Sequence, residues 1–316
     1  MMTSLGDWTF TPYPPFPHTV FPNIALWNVS SVAKNMTYQV QVSWPFEWES
    51  RDVSDKTAVT MYVLDGNAMG MTAAEAWKRR VGLSFGQPDS VVVSIGYPLT
   101  DHVYSFAHRF SDYAPPFPTA QVPDPHGDEF VEFIGGTLRP WVRNALFPNV
   151  AFTRDALYGH SFGGLFVIYA LISQPNMFDT YLSASPAIEW RNGSILDMVS
   201  DSLGTGLQGS SSFAARLRKS ECISGNGTSN KPALMITYGS LEQFPVRRRT
   251  ETEAEFRERK SYFQPLRMTE YCRELFDRVW ASGRMRDVVI KEYVGQDHSG
   301  VAASAITDGI DYFVDW

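Results

Sequence analysis

The run GLFVIYALIS, residues 164–173, is apolar on nearly every side and directly follows the pentapeptide Gly159-His160-Ser161-Phe162-Gly163. A helix that is hydrophobic all round must be buried all round. The short run DALYG leads into the pentapeptide, and TYLSASP (180–186) follows the helix; both read as strands. A strand, a tight glycine turn and a fully buried helix, in that order, call for a sheet with a layer of helices against it.

The same rhythm recurs along the chain. AVTMYVLDGN (58–67) and SVVVSIGYP (90–98) are continuous β-branched runs ending in glycine-containing loops, the pattern of strands buried on both faces of a parallel sheet. TAAEAWKRRVG between them is helix-like, which makes a β-α-β unit. Phe130, Phe133, Ile134, Leu138, Trp141, Val142 and Leu146 recur at three- and four-residue spacing and predict an amphipathic helix over 127–147. ALMITYGS (233–240) and RDVVIKEYVG (286–295) predict two more strands, and SGVAASAITDGIDYFVDW a closing helix. Upstream, TVFPNIALWNV and MTYQVQVSWP alternate at a period of two and predict antiparallel strands. Pro22 places the first of them at a sheet edge, because proline cannot donate to a ladder.

The remaining stretches punctuate this order. Residues 1–18, rich in proline and aromatics, predict an extended arm on the surface. The proline-rich stretch from Pro98 to Phe130 predicts a long loop, of the kind that is usually functional or disordered. Residues 192–231, rich in serine and glycine, predict loops with one helix at SSFAARLRKS. Segment 241–266, with Arg247 to Arg249 and the charge-dense RRRTETEAEFRERK, reads as a solvated insertion or a lid. No repeat and no linker interrupts residues 1–316, so a single domain is expected. The expected class is α/β, with a mostly parallel central sheet, antiparallel N-terminal strands and helices on both faces. With G-x-S-x-G between a strand and a buried helix, that is the layout of the α/β-hydrolase fold.

Composition narrows the function. Hydrophobic residues are 44% and charged residues 19% of the chain, which predicts a folded core. A net charge of −7 argues against general affinity for nucleic acid or an anionic membrane. Cys222 and Cys272 are the two cysteines, with no C-x-x-C, which disfavours both a structural zinc site and a disulfide framework. The first residues lack a basic region followed by an apolar core, and no later run is long enough to cross a bilayer, so the cytoplasm is the expected compartment.

A serine hydroxyl attacks carbonyls only when a base takes its proton. In the nucleophile elbow, flanking glycines allow a strained turn that lifts the serine clear of the sheet, and Gly159 and Gly163 leave that room around Ser161. The fold presents its triad in the order Ser, Asp/Glu, His. His18, His102, His108 and His126 lie upstream of Ser161 and are out of order. His160 adjoins the serine and points elsewhere, which suits packing or substrate contact. His298 follows the last predicted strand and precedes the last helix, where the fold places its base. For the acid, Glu242, which follows the strand ALMITYGS, is the expected residue; Asp297, which adjoins His298, and a histidine with no carboxylate are the alternatives. The oxyanion hole calls for the N–H of Phe162 and one from the loop LDGNAMG, at Gly66 or Asn67. Asp65 in that loop reads as a turn cap.

YVLDGN, VVVSIGYP, RFSDYAPP, YGHSFGGLFVIYAL, YLSASPAIEW and EYVGQDHSG occur in an order that resembles the putative-esterase family, which includes esterase D and the ferric-siderophore esterases. The resemblance runs from about residue 58 to the C-terminus, and the R-x-x-D-Y and D-H-S elements resemble the siderophore branch. It implies an α/β-hydrolase with Ser161 as nucleophile, His298 as base, and Gly66 or Asn67 with Phe162 as oxyanion donors. It also implies Arg109 near the cleft, holding an anionic ferric complex, with a structural ion pair to Asp112 or another carboxylate as the alternative. Trp190 would line the acyl pocket, and His160 would contact substrate. The implied partner is a small-molecule ester, with no cofactor, metal, nucleic acid or membrane, and the implied function is ester hydrolysis of a ferric siderophore to release iron. S-formylglutathione hydrolysis, a carboxylesterase for secondary metabolites, acyl transfer, and a non-catalytic binding module are the alternatives. Oligomeric state is not legible.

Overall fold

Strand β5 (Lys56–Leu64) is buried from Ala58 to Leu64 without a break, and β6 (Asp89–Gly96) from Ser90 to Gly96. These two β-branched runs pair in parallel, and the helix between them, α1 (Gly66–Val81), packs on both. The structure is a computed structural model that describes residues 3–12, 23–98, 102–117, 125–204 and 231–315. It divides into two units, Met1–Tyr158 with Ile310–Trp316, and Gly159–Gly309.

In the first unit the strand order is β1-β2-β3-β4-β6-β5-β7. β1 (Thr3–Leu5), β2 (Trp8–Pro12), β3 (Ile24–Ser31) and β4 (Met36–Ser43) form an antiparallel ladder, and β4 runs antiparallel to β6. β7 (Val150–His160) runs parallel to β5. Two expectations change here. Within the stretch read as a surface arm, residues 3–12 form β1 and β2, and Trp8 and Phe10 are buried. Phe10 stacks on Trp141 at 4.2 Å and Trp8 packs on Phe133 at 4.5 Å. Burying large aromatic rings outweighs the weak strand signal of the local sequence. Residues 13–18 lie outside the described residues. Because β2 covers its flank, β3 is an interior strand rather than an edge, and Pro22 lies outside the described residues.

The helix expected over 127–147 is helical through residue 146, but not uniformly. α3 (Gly127–Glu132) and α4 (Arg139–Trp141) alternate with wider π-type turns at Phe133–Leu138 and Val142–Leu146. Pro140 sits inside this run and supplies no N–H to the helical ladder, a local cause for the widening. The expected loop after Pro98 contains α2 (Phe106–Asp112).

In the second unit β8 (Thr180–Ala184), β9 (Ala233–Gly239) and β10 (Asp287–Tyr293) pair in parallel. α5 (Phe162–Ser173) is buried at every residue from Phe162 to Ile172, as its all-round apolar sequence demands. The described residues of this unit also form α6 (Ser194–Leu203), α7 (Ser240–Gln243), α8 (Glu253–Phe263), α9 (Met268–Ala281) and the part of α10 (His298–Val314) before Ile310. α8 buries no residue. A capping box holds its start, with the Thr252 N–H donating to Glu255 Oε2 at 2.7 Å, and Arg259 pairs with Glu251. The helix SSFAARLRKS and Cys222 lie outside the described residues. Within this unit the parallel strands bring the loops after β8, β9 and β10 out at their carboxyl ends, where open α/β sheets bind ligands. No helix among the described residues is long and apolar enough to cross a membrane.

Candidate active site

Ser161 stands between β7 and α5 with φ 60° and ψ −119°, a conformation costly for any residue with a Cβ. The surrounding backbone holds it there. Its N–H donates to the Ala184 carbonyl at 2.9 Å, and its carbonyl accepts from the Ala187 N–H at 3.0 Å. The turn is so tight that a Cβ on Gly159 would lie 2.2 Å from the Gly163 carbonyl oxygen, so only glycine fits. Phe162 opens α5, and the first N–H groups of a helix have no acceptor within it. This is the strained elbow that the pentapeptide spacing predicts.

Glu242 lies in α7, directly after β9, and is 3% exposed. Its Oε1 accepts from the Ser185 hydroxyl and from the Gly239 N–H, both at 2.6 Å. Its Oε2 lies 2.6 Å from His298 Nδ1. A proton on Nδ1 makes that contact a charge-assisted hydrogen bond and leaves Nε2 bare as an acceptor. The His298 ring is partly open to solvent, with 32% of the side chain exposed. Asp297, the rival acid, turns elsewhere. It accepts from Arg248 at 2.8 Å and from the Gly300 N–H at 3.1 Å. Burial opposes its ionisation, but those hydrogen bonds and the Arg248 charge prevail and lower its pKa.

His160 is buried, and its Nε2 donates to the His298 backbone carbonyl at 2.8 Å, with the two rings 4.5 Å apart. It therefore braces the backbone of the histidine loop. Trp190 packs edge-on against Phe162 at 6.3 Å between ring centres, and the Arg191 guanidinium lies 5.1 Å from the Trp190 ring centre. A cavity of about 60 Å³ is lined by Glu242 and His298 together with Arg248, Arg259 and Phe263.

The family model described as Putative esterase matches residues 31–290. The chain belongs to that family. It is a carboxylic ester hydrolase with the α/β-hydrolase fold. It is 39% identical to the siderophore enterobactin esterase of Emericella nidulans over 97% of each chain. It is 34% identical to the siderophore triacetylfusarinine C esterase of Aspergillus fumigatus, over 88% of this chain and 89% of that one. Among solved structures, siderophore hydrolase EstA from Aspergillus nidulans superposes with a TM-score of 0.82 at 36% identity, covering 96% of this chain and 98% of that one.

The family's turn after β5 belongs to the first unit. Gly66 and Asn67 are the first two residues of α1; the Ala68 and Met69 N–H groups donate to the Asp65 carbonyl, and those before them have no acceptor in the helix. A Cβ on Gly66 would lie 2.7 Å from the Ser94 carbonyl carbon. The Asn67 side chain is spent on the backbone of β6's end, accepting from the Tyr97 N–H at 2.8 Å and donating to its carbonyl at 3.0 Å. Arg109 is 4% exposed and gives both arms of its guanidinium to Asp65, each at 2.9 Å. Its ion-pair partner is thus Asp65, while Asp112 accepts from the Tyr97 hydroxyl at 2.9 Å. Asp65 stands at the N-cap of α1, but its carboxylate makes no capping bond and is given to Arg109 instead. The sequence gives no sign of the Ser185 contact or of the Asp65 ion pair, whose partners lie 57 and 44 residues away. The R-x-x-D-Y spacing was the one local sign of the Arg109–Tyr113 pair.

Proposed function

We propose that this esterase cleaves ester bonds of a ferric siderophore through an acyl-enzyme on Ser161. The observation that carries the reading is the 2.6 Å contact between Glu242 and His298 Nδ1, which orients Nε2 to take a proton. The Ser161 hydroxyl loses that proton to His298 as its oxygen bonds to the ester carbonyl carbon. The tetrahedral oxyanion is met by the N–H of Phe162 and by those of Gly66 or Asn67. His298 returns the proton to the leaving alkoxide, and the acyl group stays on Ser161. Water, activated by the same histidine, then releases the acid and restores the serine.

The substrate class rests on the likeness, over most of the chain, to esterases named for enterobactin and triacetylfusarinine C. Cutting such an ester linkage weakens chelation and frees iron. In this reading Trp190 lines the acyl pocket, segment 241–266 walls the cleft beside His298, and the reaction takes place in the cytoplasm. A fluorophosphonate probe should label the wild type and not Ser161→Ala. Purified protein should hydrolyse ferric triacetylfusarinine C or enterobactin faster than simple aryl esters, and intact siderophore beside a cleaved aryl ester would overturn the substrate class. Fractionation of a tagged protein checks the compartment.

A further inference from the structure

We infer that Arg109 is a positioning residue for the oxyanion turn, acting through Asp65, and not a residue that grips substrate. The inference rests on the proposed role of Gly66 and Asn67 as oxyanion donors. Asp65 immediately precedes them, and its backbone sits at φ 51°, ψ 48°, the left-handed region that a residue with a Cβ enters at a cost. Such a conformation persists only where neighbours over-determine it. Here four bonds do so. Arg109 Nε donates to Asp65 Oδ1 and Arg109 Nη2 to Oδ2, both at 2.9 Å; the Asp65 N–H donates to the Tyr113 hydroxyl oxygen at 3.1 Å, and that hydroxyl donates to Asp65 Oδ1 at 3.4 Å. Main chain and side chain of the residue before the donors are thus both pinned.

Arg109 is itself held in place. Its guanidinium lies within 6 Å of the rings of Tyr104, Phe110 and Tyr113, at 5.5, 5.9 and 5.5 Å from their centres. Its side chain is 5% exposed and that of Asp65 2%. A planar fork stacked among aromatic rings and committed bidentately to a carboxylate is fixed in direction. A substrate carboxylate or catecholate would have to break the Asp65 pair before it could bind the same edge. The geometry favours a strut beneath the turn: the ring cluster holds Arg109, Arg109 holds Asp65, and Asp65 fixes where the Gly66 and Asn67 N–H groups point.

The two roles separate by substrate and by kinetic constant. Wild type, Arg109→Ala and Tyr113→Phe are assayed on a small neutral aryl ester and on an anionic ferric siderophore ester. A boronic acid that forms a tetrahedral adduct with the serine serves as inhibitor. Fluorophosphonate labelling of Ser161 in the wild type and a thermal melt of each variant accompany the assays. A positioning role predicts kcat lowered about tenfold to a hundredfold on both substrates in Arg109→Ala, and less in Tyr113→Phe. KM stays within about twofold, and boronic acid binding weakens in step with kcat. A rise in KM confined to the anionic substrate, with the neutral ester unaffected, would overturn the inference and place Arg109 on the substrate. Unchanged kcat on both substrates in a folded variant would overturn it as well. Should Arg109→Ala fail to fold, Tyr113→Phe decides, since it removes only the hydroxyl that accepts from the Asp65 N–H and donates to Asp65 Oδ1. An unlabelled Ser161 in the wild type would instead sink the acyl-enzyme reading, which keeps the two failures apart.

Discussion

Each unit buries a carboxylate on the loop after a parallel strand, Asp65 after β5 and Glu242 after β9, and both are 3% exposed. Each receives hydrogen bonds from backbone or hydroxyl groups and from one basic side chain. They differ in that basic partner. Asp65 faces an arginine that is itself buried and always charged, whereas Glu242 faces a histidine whose side chain is 32% exposed. An arginine cannot give up its proton, so the Asp65 pair can only hold a shape. A histidine with one nitrogen on a carboxylate and the other bare can take and return a proton. In the roles proposed above, similar burial of a carboxylate serves a strut in one place and a proton carrier in the other.

Substitutions should pull the two apart. His298→Ala should lower kcat by about 10⁴-fold or more with the melting temperature nearly unchanged; activity near wild type would remove the base. Glu242→Ala should cost about 10²- to 10⁴-fold in kcat, and Asp297→Asn less than about threefold, because the Asp297 carboxylate is held by Arg248 and Gly300. Equal losses in the two would erase the distinction between them. Arg109→Ala should register in stability as well as rate. It strands a buried carboxylate, and denaturant unfolding should show a loss of about 3–5 kcal/mol. Ser185→Ala removes one of the three donors to Glu242 and should lower kcat about tenfold, with little change in KM. The smallest effect concerns Glu189. Burial raises its carboxyl pKa above the ordinary value, so the folded state holds that proton more tightly than the unfolded chain does. Stability is then lost as pH rises through the window above the ordinary glutamate pKa. Glu189→Gln cannot ionise, and its melting temperature should gain on the wild type as pH rises above the ordinary glutamate pKa.

Much of this is legible in the amino-acid sequence. Continuous β-branched runs betrayed β5 and β6, and an all-round apolar run betrayed α5, because burial on every side leaves no polar stripe. Chain order alone brought Ser161, Glu242 and His298 forward, since this fold presents its loops in a set sequence. The N-terminal strands were misjudged for a physical reason. Trp8 and Phe10 are buried by Trp141 and Phe133, more than 120 residues away, and nothing within residues 1–18 announces that cover.

What the chain determined by itself is local: periodicity, the glycine spacing that permits an elbow, and the order of the candidate groups. Which carboxylate meets which base was decided only in three dimensions. Asp297 is adjacent to His298 in the chain yet is turned to Arg248, while Glu242, 56 residues earlier, lies 2.6 Å from the ring. Arg109 likewise passes over the nearby Asp112 for Asp65, 44 residues away. A hydrogen bond depends on direction and distance between side chains, and the packing of strands and helices sets both. Neighbours in sequence are often aimed apart, and residues brought together at the ends of parallel strands are aimed at one another.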